Sequence, residues 1–152
     1  MTTTLRSFGF FLVLALCATR AAIAGDFFEA DGAAIHGYDA VSYFETGAPT
    51  RGSTKHAFTY HGSRFLFASA AHRRKFAADP EKYAPQFGGF CAYGASNGYK
   101  VTTQPDAFKV VDGKLYLNYD RKVLGIWSQD EQGNITRATE NWPKVREQPL
   151  KQ

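Results

Sequence analysis

Ala57-Phe58-Thr59-Tyr60-His61-Gly62-Ser63-Arg64-Phe65-Leu66-Phe67-Ala68-Ser69-Ala70-Ala71-His72-Arg73-Arg74-Lys75-Phe76 decides how the chain folds. Phe58 and Tyr60 alternate with small or polar neighbours, and Phe65 and Phe67 flank Leu66. That two-residue period predicts short strands over 57–60 and 64–67, joined by a hairpin at His61-Gly62-Ser63. The period then changes. Ser69 is a helix-capping residue type, and His72 and Phe76, four apart, share one face of a helix predicted over 70–78. Asp79-Pro80 follows, with proline suited to the first position of a further helical turn.

Working outward, the same grammar recurs. His36-Gly37-Tyr38-Asp39-Ala40-Val41-Ser42-Tyr43-Phe44 predicts a short helical turn capped by Asp39, with Val41 and Phe44 inward. Residues 46–53 read as a Gly/Pro loop. Residues 86–98 read as a glycine-rich loop containing Cys91. Phe108 to Tyr119 predicts the clearest hairpin, because Asp112-Gly113 supplies the positive φ angles of a tight turn. Residues 120–130 and 135–145 predict helices, with Val123, Leu124 and Trp127, then Ala138 and Trp142, as apolar positions. The tail from Glu147 is polar and reads as loose. The aromatics Tyr38, Tyr43, Phe44, Tyr93, Tyr99, Trp127 and Trp142 read as core. The expected class is α+β: one small domain of antiparallel hairpins packed against helices.

The N-terminus predicts export. Arg6 precedes the apolar run 8–16, which is shorter than the ~20 residues a spanning helix needs, and Ala22-Ile23-Ala24 is a small-residue cleavage pattern. The expected organisation is a signal peptide over 1–24 and a single domain over 25–152, placed in the periplasm or secreted. The whole sequence has 18 basic and 14 acidic residues; loss of Arg6 and Arg20 leaves 16 basic. That balance argues against a nucleic-acid partner. No integral membrane segment is expected after cleavage, and no protein partner is indicated.

Cys17 leaves with the leader, so Cys91 is the single thiol of the mature chain. It reads either as a thiolate ligand or redox-active group, or as a small buried hydrophobe. His72 and His36 are the histidines placed to join it. Asp39 reads as a helix cap or as the acceptor orienting His36. Cys91 with one histidine suits Cu(I) better than a structural zinc site, which takes four ligands. His61 reads as a turn residue and His56 as an exposed strand residue. Asn134-Ile135-Thr136 is a sequon of the kind chance produces. Phosphate-loop and zincin patterns are absent from the sequence.

Residues 58–69, 72–76 and 79–83 together resemble a YHS domain. Residues 37–44, Gly88-Gly89-Phe90-Cys91-Ala92, residues 112–118 and Asn141-Trp142-Pro143 resemble the exported branch of that family. The resemblance covers about residues 33–145. It implies a small heavy-metal-handling module related to TRASH domains, with copper or zinc as the ion. The metal-binding members carry one early cysteine and a later C-x3-C pair. Here Ser42, Ala68 and His72 stand at those positions, so only His72 keeps a ligating side chain. Three functions follow: a transition-metal binder using Cys91 with His72 or His36; a metal-free interaction or small-ligand module of the same fold; or a thiol redox enzyme built on Cys91.

Overall fold

The computed structural model describes residues 26–151, so the expected leader lies outside the described residues. The described chain opens with a minimal hairpin, β1 (Glu29–Ala30) and β2 (Ala33–Ala34), then reaches α1 (Ser42–Glu45). Asp39 caps α1 as expected. Val41 is buried, but Tyr43 rather than Phe44 takes the deep position, its hydroxyl donating to the Pro105 carbonyl at 3.1 Å.

The deciding stretch folds as read, with one extension. β3 (Ser53–Tyr60) pairs antiparallel with β4 (Ser63–Phe67), and Tyr60 opposite Ser63 leaves His61-Gly62 as a two-residue turn. Both turn residues have positive φ, 46° and 76°, which gives the turn the twist that tight hairpins need. β3 starts four residues earlier than the alternation predicts, because its register shifts between Ser53 and Ala57 and breaks the pattern there. α2 (Ala70–Ala78) starts where Ser69 accepts a hydrogen bond from the His72 amide, and α3 (Pro80–Tyr83) where Asp79 accepts one from Lys82. Phe76 is fully buried, its ring 4.8 Å from Phe65 and 5.0 Å from Phe67. The helix therefore seals the hairpin's inner face and forms the main core with Ile35, Val41, Leu115 and Leu117.

The stretch 86–98, expected as a loop, contains helix. Gln86–Gly89 is a tight turn with left-handed backbone at Phe87 and Gly88, and the helix, α4, spans Ala92–Ser96. Glycine suppressed the helical reading there, yet Gly94 is buried where an added Cβ would stand 3.0 Å from the Tyr99 carbonyl. Small residues are what let α4 pack so closely. β5 (Phe108–Val111) and β6 (Lys114–Leu117) close around Asp112-Gly113 as predicted. α5 (Arg121–Trp127) is capped by Asp120, and α6 (Glu131–Val145) by Asp130. Trp127 is fully buried in a second cluster with Ala92 and Tyr116.

α6 begins four residues before the expected start. Asn134 lies inside it, buried, its Nδ2 donating to the Trp127 carbonyl and its Oδ1 accepting from Ser96. The sequon asparagine is thus a packing residue. The tail is tied down rather than loose: the Lys151 amide donates to the Lys100 carbonyl at 2.8 Å. Three separate two-stranded antiparallel hairpins packed on helices make the protein α+β. No helix among the described residues is long and apolar enough to cross a membrane.

Candidate functional site

Asp39 is fully buried and its carboxylate is surrounded by donors. Oδ1 accepts from the Val41 amide at 2.9 Å and the Ser42 amide at 3.3 Å. Oδ2 accepts from the Ala68 amide at 2.9 Å and lies 2.6 Å from His72 Nδ1. An ionised carboxylate only accepts, so Nδ1 donates to Asp39, and the ring's Nε2 takes no part in that bond. The His72 side chain is 20 % exposed. Asp39 thus caps α1, anchors the end of β4 and orients a histidine at once. That histidine is His72; the sequence reading had Asp39 orienting His36.

His36 is engaged elsewhere. Its Nε2 lies 2.6 Å from the Thr103 carbonyl, to which only a protonated Nε2 can donate. Its ring stacks edge-on against Phe28 at 5.0 Å, and its own carbonyl accepts from Arg51. His61 occupies the β3–β4 turn, as read, with Nδ1 3.1 Å from Asp26 Oδ2. His56 is half-buried in β3.

Cys91 is 2 % exposed and caps α4. Its Sγ accepts from the Gly94 amide at 3.3 Å and lies 3.8 Å from Asn118 Oδ1, which also accepts from the Tyr93 amide. Burial pushes the thiol above its ordinary range, and the backbone donors around it only partly offset that. At neutral pH it is a protonated thiol, the opposite of the electropositive, lowered-pKa setting of reactive cysteines.

Cys91 also lines a cavity of about 330 Å³, walled by Tyr93, Tyr99, Val101, Tyr119 and Val123. Lys151 lies across one side, its Nζ 4.3 Å from the Tyr99 ring centre. Tyr119 is 47 % exposed and forms part of the mouth. Burial is the first cause, and the nearby Cys91 and Tyr93 the lesser ones, that raise the Tyr99 hydroxyl above its ordinary range. This is a small pocket of aromatic and aliphatic walls with a few polar groups, the usual chemistry of an organic-ligand site.

Among the sequence candidates, then, the structure pairs Asp39 with His72, while Cys91 and His36 each bond to other partners. The described residues contain no group of three or more His, Cys, Asp or Glu side chains arranged to hold a metal ion. Asn118 and Tyr119 escaped sequence reasoning, and Tyr99, read as core, lines the pocket instead. For Asn118 a signal existed: an asparagine directly after the apolar run of β6, where the chain has every reason to stay buried. Comparison of the chain with profiles of protein families, with curated proteins and with solved structures found no match.

Proposed function

We propose that this is an exported YHS-type binding module that takes a small, largely apolar ligand in the tyrosine-walled pocket beside Cys91, without a metal. The observation that carries the reading is the state of Cys91. It is a buried thiol committed to a helix cap and an asparagine, yet it forms part of the wall of a ready-made cavity. In that role the sulfur is a soft, polarisable contact surface. The tyrosines supply ring faces for an apolar or aromatic ligand and hydroxyls to orient it.

A second reading, Cu(I) binding, has one observation of its own. The Asp39–His72 pair leaves Nε2 presented in the manner of a carboxylate-oriented metal ligand. Elemental analysis of the purified protein, followed by Cu(I) titration under reducing conditions beside His72→Ala and Cys91→Ser controls, separates the two. The proposal expects no stoichiometric metal and no Cu(I) uptake that depends on His72 or Cys91. One copper per chain, lost in either control, would replace it with the copper reading.

A further inference from the structure

A larger cleft of about 740 Å³ opens where the β3–β4 turn, the Gln86–Gly89 turn and the end of α6 meet. Its aromatic side is Trp142 with Phe87 and Phe90, ring centres 5.7 and 6.2 Å from the indole. Trp142 is half-buried. Phe87 is held at φ 52°, ψ 39°, a left-handed conformation that a bulky residue adopts only under constraint. The next residue continues the left-handed turn: at Gly88, φ +60°, an added Cβ would stand 2.5 Å from the Asp26 carbonyl, so only glycine fits there. Strain held in place to present an aromatic ring at a cleft is an observation that points to function.

The polar side of the cleft is self-neutralised. Besides His61, it carries three carboxylates, Asp26, Glu81 and Glu147, and three cations, Lys100, Lys114 and Arg146. Asp26 faces both His61, at 3.1 Å, and Arg146, at 3.8 Å, and Arg146 in turn faces Glu147 at 3.2 Å. Lys100 donates to the Arg146 carbonyl and lies 4.6 Å above the Phe90 ring. No single sign of charge is left to capture an ion. What the cleft offers is the half-buried rings of Trp142 and Phe87 beside a rim of mixed carboxylates and cations.

From this juxtaposition we infer that the cleft is a second binding site, for an uncharged saccharide of a few rings. The C–H faces of sugar rings stack on aromatic rings, and their hydroxyls both donate and accept, which is what mixed carboxylates and cations require. The site lies apart from the Cys91 pocket, with which it has no lining residue in common.

The test is tryptophan fluorescence titration of the purified protein with maltotriose, cellotriose and triacetylchitotriose. Trp127 is fully buried, so a quench reports Trp142. At least one probe should give saturable quenching at up to millimolar concentration, weakened roughly tenfold or more by Arg146→Gln, and titration calorimetry of Trp142→Ala, which lacks the fluorescent reporter, should show a loss of the same order. The affinity should be the same at low and high salt, because a neutral ligand has no charge to screen. Indole, aimed at the Cys91 pocket, should not compete. Should Trp142→Ala fail to fold by circular dichroism, Arg146→Gln and Lys114→Gln, both on exposed side chains, decide the matter. The proposal is overturned if none of the three sugars binds, if binding is untouched by folded cleft variants, or if it collapses with salt.

Discussion

Replacing Asp39 with alanine removes the one acceptor shared by four donors. The Val41, Ser42 and Ala68 amides and the His72 imidazole all converge on a carboxylate with no solvent exposure. A hydrogen bond to a charged group contributes about 1.5–3 kcal/mol, but four bonds to one carboxylate do not add. The Ser42 contact is long at 3.3 Å, and His72, 20 % exposed, recovers water once released. Removing one partner of a buried charged arrangement costs about 3–5 kcal/mol, and Asp39→Ala is expected in that range. Out of a total stability of about 5–15 kcal/mol, the loss leaves a marginal fold. Asp39→Asn keeps the shape and one acceptor oxygen, but its amide nitrogen then faces the Ala68 N–H and the His72 ring. It is expected to cost about half as much. Urea unfolding followed by circular dichroism measures both. If either variant unfolds within about 0.5 kcal/mol of the parent, the convergent-acceptor account is wrong.

Other expectations follow from the same geometry. Phe76→Ala empties the centre of the main core and should destabilise by about 3–5 kcal/mol, measured by the same urea midpoint. Burial raises the pKa of Cys91, Tyr43 and Tyr116, so the folded state holds these protons longer than the unfolded chain does. Their contribution is therefore complete below the unfolded thiol value of about 8.5 and declines as pH rises past it, then past about 10 as the tyrosines titrate. Lys100, lowered by desolvation, runs the other way and softens the decline. Unfolding free energy should fall between about pH 8.5 and 11, and a flat profile would contradict it. Iodoacetamide should modify Cys91 far more slowly than a free cysteine at pH 7, with the rate still rising above the pH where a free thiol levels off; rapid labelling of the folded protein would refute the buried-thiol description.

The hairpins and α2 were legible because their signals are local. Alternation, Asp-Gly and His-Gly turns, and Ser69 and Asp79 caps each act within a few residues. α4 was hidden because its glycine and alanines are chosen for close packing, a tertiary requirement that overrides helix propensity. The site was legible only as a set of residue types. Cys91, His72, His36 and Asp39 stand out in the sequence as chemistry, but their pairing depends on contacts 27 to 67 residues apart. Asp39 sits three residues from His36 and bonds instead to His72, because the end of β4 and the start of α2 fold back over the α1 cap. Tyr99 and Tyr119 look like any other aromatics until the fold sets them around one cavity.

The most direct test of the Cys91 pocket is amide chemical-shift mapping of the isotope-labelled protein during titration with indole and with phenol. The account predicts saturable shifts at Gly94, Val101, Tyr119 and Val123, and their loss when Val101→Trp fills the cavity in a protein that still folds. Shifts confined to other parts of the surface, or none at all at millimolar probe, would contradict it.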